Sequence, residues 1–135
     1  MAASFKVRLR TFAFEHRWSI AIFVAALVVR MHWNLVAHPL GEYIYSDMNG
    51  YNSRADRLLR DPWTPYEYHA FFPFGTHLLV AGFKLVFGAQ NFNGIAVGYA
   101  IGGAVCVLAA HRIALGLTRW PAVAHAVGLF GVFYY

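Results

Sequence analysis

Asp47 stands in the run Tyr45-Ser46-Asp47-Met48-Asn49-Gly50-Tyr51-Asn52-Ser53-Arg54-Ala55, ten residues beyond Ala37, where a membrane-length apolar segment ends. A carboxylate there lies at the edge of a bilayer, where a lipid-borne substrate would be met. Within hydrogen-bond reach of a hydroxyl or amine, it could take or orient the proton lost as that group attacks. Met48, Tyr51, Ala55, Leu58 and Leu59 repeat at helical spacing with Arg54, Arg57 and Arg60 interleaved, which predicts a short amphipathic helix near 48–60. Asp47 immediately precedes that helix, so an N-cap accepting backbone N–H bonds is the competing role. Spacing alone leaves both open.

Other side chains could hold an anion. Arg30 lies in the outer half of the first apolar segment and shares a helical face with Asn34. A charge at that depth finds a partner or a wet cavity, or snorkels toward the headgroups. Arg54 and Arg57 are alternatives that could equally be solvated or bound to headgroups. His69 and His77 could assist a phosphate or ligate a metal, but neither has a second histidine at i+3 or i+4. No metal is assigned. The single cysteine, Cys106, lies inside an apolar run and reads as a small packing residue, with no disulfide framework or cysteine zinc site to build.

These residues must be positioned by membrane helices. The chain is 59% apolar and 13% charged, with 18% aromatic residues, and its apolar residues fall in long runs. Soluble domains carry about 25% charged residues, so the composition predicts an all-α integral membrane protein. The net charge of +5 comes from basic residues that flank apolar segments and form no stripe for nucleic acid. Residues 1–17 form a basic tail with Lys6, Arg8, Arg10 and Arg17, expected in the cytoplasm. No small-x-small cleavage site follows closely, so an uncleaved anchor is expected.

Three spans are predicted, at 18–37, 93–111 and 120–135, with a cytoplasmic loop at 112–119. Gly94, Gly98, Gly102, Cys106 and Ala110 recur every fourth residue in the second, a seam on which another helix could pack closely. Trp120-Pro121 opens the third, with proline at the first helical turn. That span is short, which suggests either aromatic anchoring by Phe133, Tyr134 and Tyr135 or an incomplete piece of something longer.

Residues 38–92 are expected in one extracytoplasmic loop. Its second helix, near 76–87, carries His77 and Lys84 on one face and Leu78, Leu79, Val80, Phe83, Val86 and Phe87 around the rest. That pattern suits a helix lying in the interface. Were this segment to cross, Arg112 and Arg119 would fall outside, against the positive-inside tendency.

The order of these features resembles the opening of GT-C membrane glycosyltransferases. It is carried by Val28-Val29-Arg30 closing a first span, by external Ser46-Asp47 with Tyr51 and Ala55, and by Phe72-Pro73-Phe74-Gly75-Thr76-His77 and Leu85-Val86-Phe87-Gly88. The nearest groups are the dolichyl-phosphate-mannose protein mannosyltransferase-like enzymes and the lipid A aminoarabinose transferase, of which only the amino-terminal portion would be present. The resemblance covers residues 18–135 and implies inverting transfer of a sugar from a polyprenyl-phosphate donor on the extracytoplasmic side, in a bacterial inner (plasma) membrane. Asp47 would match the first-loop catalytic carboxylate, and Arg30, Tyr51, Arg54 and His77 would contact substrate or its departing phosphate. Some members use a divalent cation held by acidic residues from two external loops. Met48 stands where many carry a second acidic residue, which argues against a paired-carboxylate metal site, and Phe74 replaces a second proline.

Two other classes compete with the enzyme. A small non-catalytic membrane protein, an assembly or accessory subunit, would use the glycine seam to bind a partner helix. Part of a transporter would explain Arg30, but no broken-helix pair or inverted repeat supports it.

Overall fold

The computed structural model describes residues 16–63 and 73–134. His69, Glu67 and most of the basic tail, including Lys6, Arg8 and Arg10, lie outside the described residues, as does Tyr135. Among the described residues every regular element is helical and none is a strand.

Helix α1 spans Arg17–His32 and widens into a π turn at Trp33–Ala37, closed by the His38 N–H donating to the Trp33 carbonyl at 2.8 Å. A short 3-10 turn at Leu40–Glu42 leads to α2, Ser46–Arg60. Helix α3 follows at Phe74–Phe87, α4 at Phe92–Leu117 and α5 at Pro121–Phe133. Two stretches are long and apolar enough to cross a membrane, Arg17–Ala37 and Phe92–Leu117. Helices α3 and α5 are shorter, with 14 and 13 residues.

Helix α4 runs six residues past its expected end at His111, through Arg112-Ile113-Ala114-Leu115-Gly116-Leu117. Arginine marks where a bilayer would end, but it is a good helix former, and alanine and leucine continue the helix after it. Most of the expected 112–119 loop is therefore helical. Pro121 does occupy the first turn of α5, where its missing N–H costs nothing.

The chain forms two compact units, one of residues up to Arg30 with Ala100 onward, the other of Met31–Tyr99. In the first, Ile22 and Ala26 of α1 pack with Ala104 and Val107 of α4 and Val132 of α5. Small residues set these crossings: Ala26 and Ala104 are fully buried, and a Cβ on Gly128 would come within 2.6 Å of Ile22 Cδ1.

In the second unit, Ala55 of α2 packs on Val80 and Ala81 of α3, with Leu58, Leu59 and Tyr99 around them. The first part of the glycine seam is filled by α3 itself. A Cβ on Gly94 would meet Phe87 Cβ at 2.6 Å, and one on Gly98 would meet Phe83 Cδ1 at 2.8 Å. Gly102 has nothing within 4 Å of that position.

Candidate functional site

The segment entering α2 is lined by aromatic rings. Trp33 stacks on His38 at 4.2 Å, His38 tilts against Tyr43 at 5.0 Å, and Tyr43 lies 6.2 Å from Tyr45. Such rings favour a boundary between apolar and wet surroundings. Ser46 then takes a φ of 51°, the one non-glycine left-handed residue among those described. That conformation is unfavourable for serine and concentrates at functional positions.

Helix α2 starts at Ser46, with Tyr45 at the cap position and no side-chain cap. Asp47 is thus inside the first turn, two residues past the N-cap position that its spacing also allowed it. It is exposed, and the positive end of the helix dipole favours its charge there. Tyr51 and Arg54 follow at i+4 and i+7, on the same side of the helix. Both are half-buried, and the Arg54 guanidinium donates to the Gly50 carbonyl at 3.2 Å. Behind α2, Met48, Tyr51 and Asn52 border a void of about 20 Å³ shared with Val80 and Tyr99, room for one water and no more.

Helix α3 reverses the expected pattern of an interfacial helix. Its polar face is turned inward: His77 and Lys84 are buried, and Lys84 Nζ pairs with Asp56 Oδ1 of α2. The physical cause is that α2 is mostly polar, so Asp56 supplies a partner that headgroups would otherwise provide. Leu78, Leu79, Leu85 and Val86 are left exposed. His77 is wholly buried with its ring edge-on to Phe74 at 4.7 Å, so it is a packed core residue of this unit. On the outer side of α3, Gly75 and Gly82 leave a trough of about 420 Å³ walled by Leu78, Leu79, Phe83 and Val86.

Arg30 is held elsewhere, in the first unit. Its guanidinium donates to the carbonyls of Gly131 at 3.0 Å, Tyr134 at 3.2 Å and Val132 at 3.3 Å, the end of α5. A cation at a helix C-terminus satisfies carbonyls that lack intrahelical donors and complements the dipole. Gly103 makes room for it, since a Cβ there would lie 2.6 Å from Arg30 Nε. This is a capping role, with the guanidinium partnered inside the protein. Asn34, on the same face by spacing, donates instead to the Ala96 carbonyl at 3.2 Å in the other unit.

Spacing gave no sign of a buried chain of polar side chains in the first unit. His111 is fully buried, with Nδ1 3.2 Å from Ser19 Oγ and Nε2 3.1 Å from His125 Nδ1. Trp18 covers His125 at 5.1 Å. Among the described residues no three side chains of metal-ligating type come together. No known protein family, curated protein or solved structure matches the chain.

Proposed function

We infer that the chain is the amino-terminal part of a membrane glycosyltransferase that moves a sugar from a polyprenyl-phosphate donor to an acceptor on the extracytoplasmic side. The observation that carries the reading lies within residues 31–99. An exposed carboxylate in the first turn of α2, behind a strained Ser46 and a row of aromatic rings, shares one compact unit with an open apolar trough on α3. A lipid-borne donor requires both: a polar end where the bond breaks and an apolar track for the chain.

In this reading Asp47 accepts or orients the acceptor proton as the new glycosidic bond forms. Tyr51 and Arg54 stand on the same helical side to meet the sugar or its departing phosphate, with charge-assisted hydrogen bonds from the guanidinium. Arg30 and His77 drop out of the substrate group, because the one caps α5 and the other is packed in the core. Two helices of membrane length, and a short α3 that shows leucine and valine outward, support membrane integration, and the basic residues that precede α1 in the sequence favour a cytoplasmic amino terminus.

The test is Asp47→Asn in the intact gene product, assayed with polyprenyl-phosphate sugars in membranes. Transfer is expected to be lost while carbonate-resistant membrane insertion is kept. Retained turnover would remove the catalytic assignment.

A further inference from the structure

The geometry points to a second lipid site in this chain, a cleft between α1 and α4 that holds the phosphate headgroup of an anionic phospholipid with one acyl chain alongside. The cleft has a volume of about 340 Å³ and is lined by His16, Ser19, Ile20, Phe23, Leu108 and Arg112. Its polar and apolar parts are separated. Ile20, Phe23 and Leu108 form a wall fit for a hydrocarbon chain, whereas Arg112 and His16 stand together at one end.

Charge decides the occupant. Arg112 Nη1 donates to His16 Nδ1 at 3.1 Å, which uses one of the five N–H donors of an exposed guanidinium. Among the described residues no carboxylate is paired with Arg112. Two basic side chains side by side above an apolar wall match a phosphodiester attached to an acyl chain, an anion that a neutral lipid does not offer. The floor is fixed as well: Ser19 is buried, and its hydroxyl is tied to the buried His111 ring at 3.2 Å. That tether holds a polar group at the headgroup end of the cleft.

This site is distinct from the donor trough of α3, because it lies where α1 begins and α4 nears its end, the parts of the chain that carry Arg17, Arg112 and Arg119. It rests on the membrane integration in the reading above and is independent of the transferase chemistry. An anionic lipid there would clamp α1 to α4 at the basic end of the first unit.

Native mass spectrometry of the whole protein, in micelles containing equal phosphatidylglycerol and phosphatidylcholine, tests the site. Wild type is expected to retain phosphatidylglycerol about fivefold over phosphatidylcholine, the ratio that ~1 kcal/mol of headgroup attraction gives. Arg112→Gln should bring that ratio close to one. Leu108→Trp, which fills the apolar wall and keeps the guanidinium, should do the same and serves if the first variant fails to fold. Millimolar glycerol 3-phosphate should not displace the lipid, since it lacks the chain. Equal retention of the two lipids by wild type, displacement by glycerol 3-phosphate, or an unchanged preference in both variants would overturn the site. Carbonate extraction reports integration separately, so a membrane-embedded protein without lipid preference counts against the cleft alone.

Discussion

Lys84, its side chain fully buried, closes an ion pair on Asp56 at 2.5 Å and thereby ties α3 to α2. The two partners are unequal, since 31% of the Asp56 side chain remains exposed. Removing the carboxylate strands a buried ammonium, whereas removing the ammonium leaves a carboxylate that water can reach. Asp56→Asn is therefore expected to destabilise by about 3 kcal/mol and Lys84→Met by less, with the pair Asp56→Leu/Lys84→Met recovering most of the loss. Thermal unfolding in detergent checks the order. A Lys84→Met variant weaker than Asp56→Asn would contradict it.

Arg30 separates structure from chemistry in a second way. Its three carbonyl acceptors at the end of α5 imply that Arg30→Leu costs about 2–3 kcal/mol, while Arg30→Lys, with a point charge in place of a fork, costs less. The expected result is a lower Tm with little change in the affinity for a lipid-phosphate donor. A variant with unchanged Tm and weakened donor binding would return Arg30 to the substrate group.

The glycines of α4 are not equivalent. Gly94→Ala puts a methyl 2.6 Å from Phe87 Cβ, an atom close to its backbone that cannot swing aside, so a loss of about 1–3 kcal/mol is expected. Gly98→Ala meets the Phe83 ring, which has somewhat more freedom. Gly102→Ala meets nothing and should stabilise by about 0.5–1 kcal/mol through reduced backbone entropy in the unfolded chain. Should Gly102→Ala instead disrupt a complex isolated from cells, that position would be the part of the seam used by a partner helix.

These contrasts show what the sequence could and could not disclose. Length and composition were enough for α1 and α4, and helical spacing for α2, because each signal lies within one element. The polar line of His77 and Lys84 was equally visible. Its direction was not, since whether a polar stripe faces water or another helix depends on Asp56, 28 residues away. Arg30 meets carbonyls more than 100 residues downstream, and backbone acceptors carry no side-chain signature at all. Ser19, His111 and His125 come from three helices whose register only packing fixes. Helix α2 begins at Ser46, two residues before the expected start near 48, and the left-handed φ of Ser46 is not announced by its residue type.

Helix lengths bear on the orientation of residues 38–92. At ~1.5 Å per residue, α3 reaches only about 21 Å against a hydrocarbon core of roughly 30 Å, whereas α4 reaches about 39 Å, long enough to cross one. If α3 does not cross, Arg112 and Arg119 share a side with Arg17, as the positive-inside tendency requires. Single cysteines at Ser53 and Leu117, both exposed, in a Cys106→Ala background should then differ in whole cells. A membrane-impermeant maleimide is expected to label Ser53→Cys and to spare Leu117→Cys until the membrane is opened. Labelling of both from outside would mean that α3 crosses after all, and Asp47 would then keep its side of the membrane while the end of α4 changed.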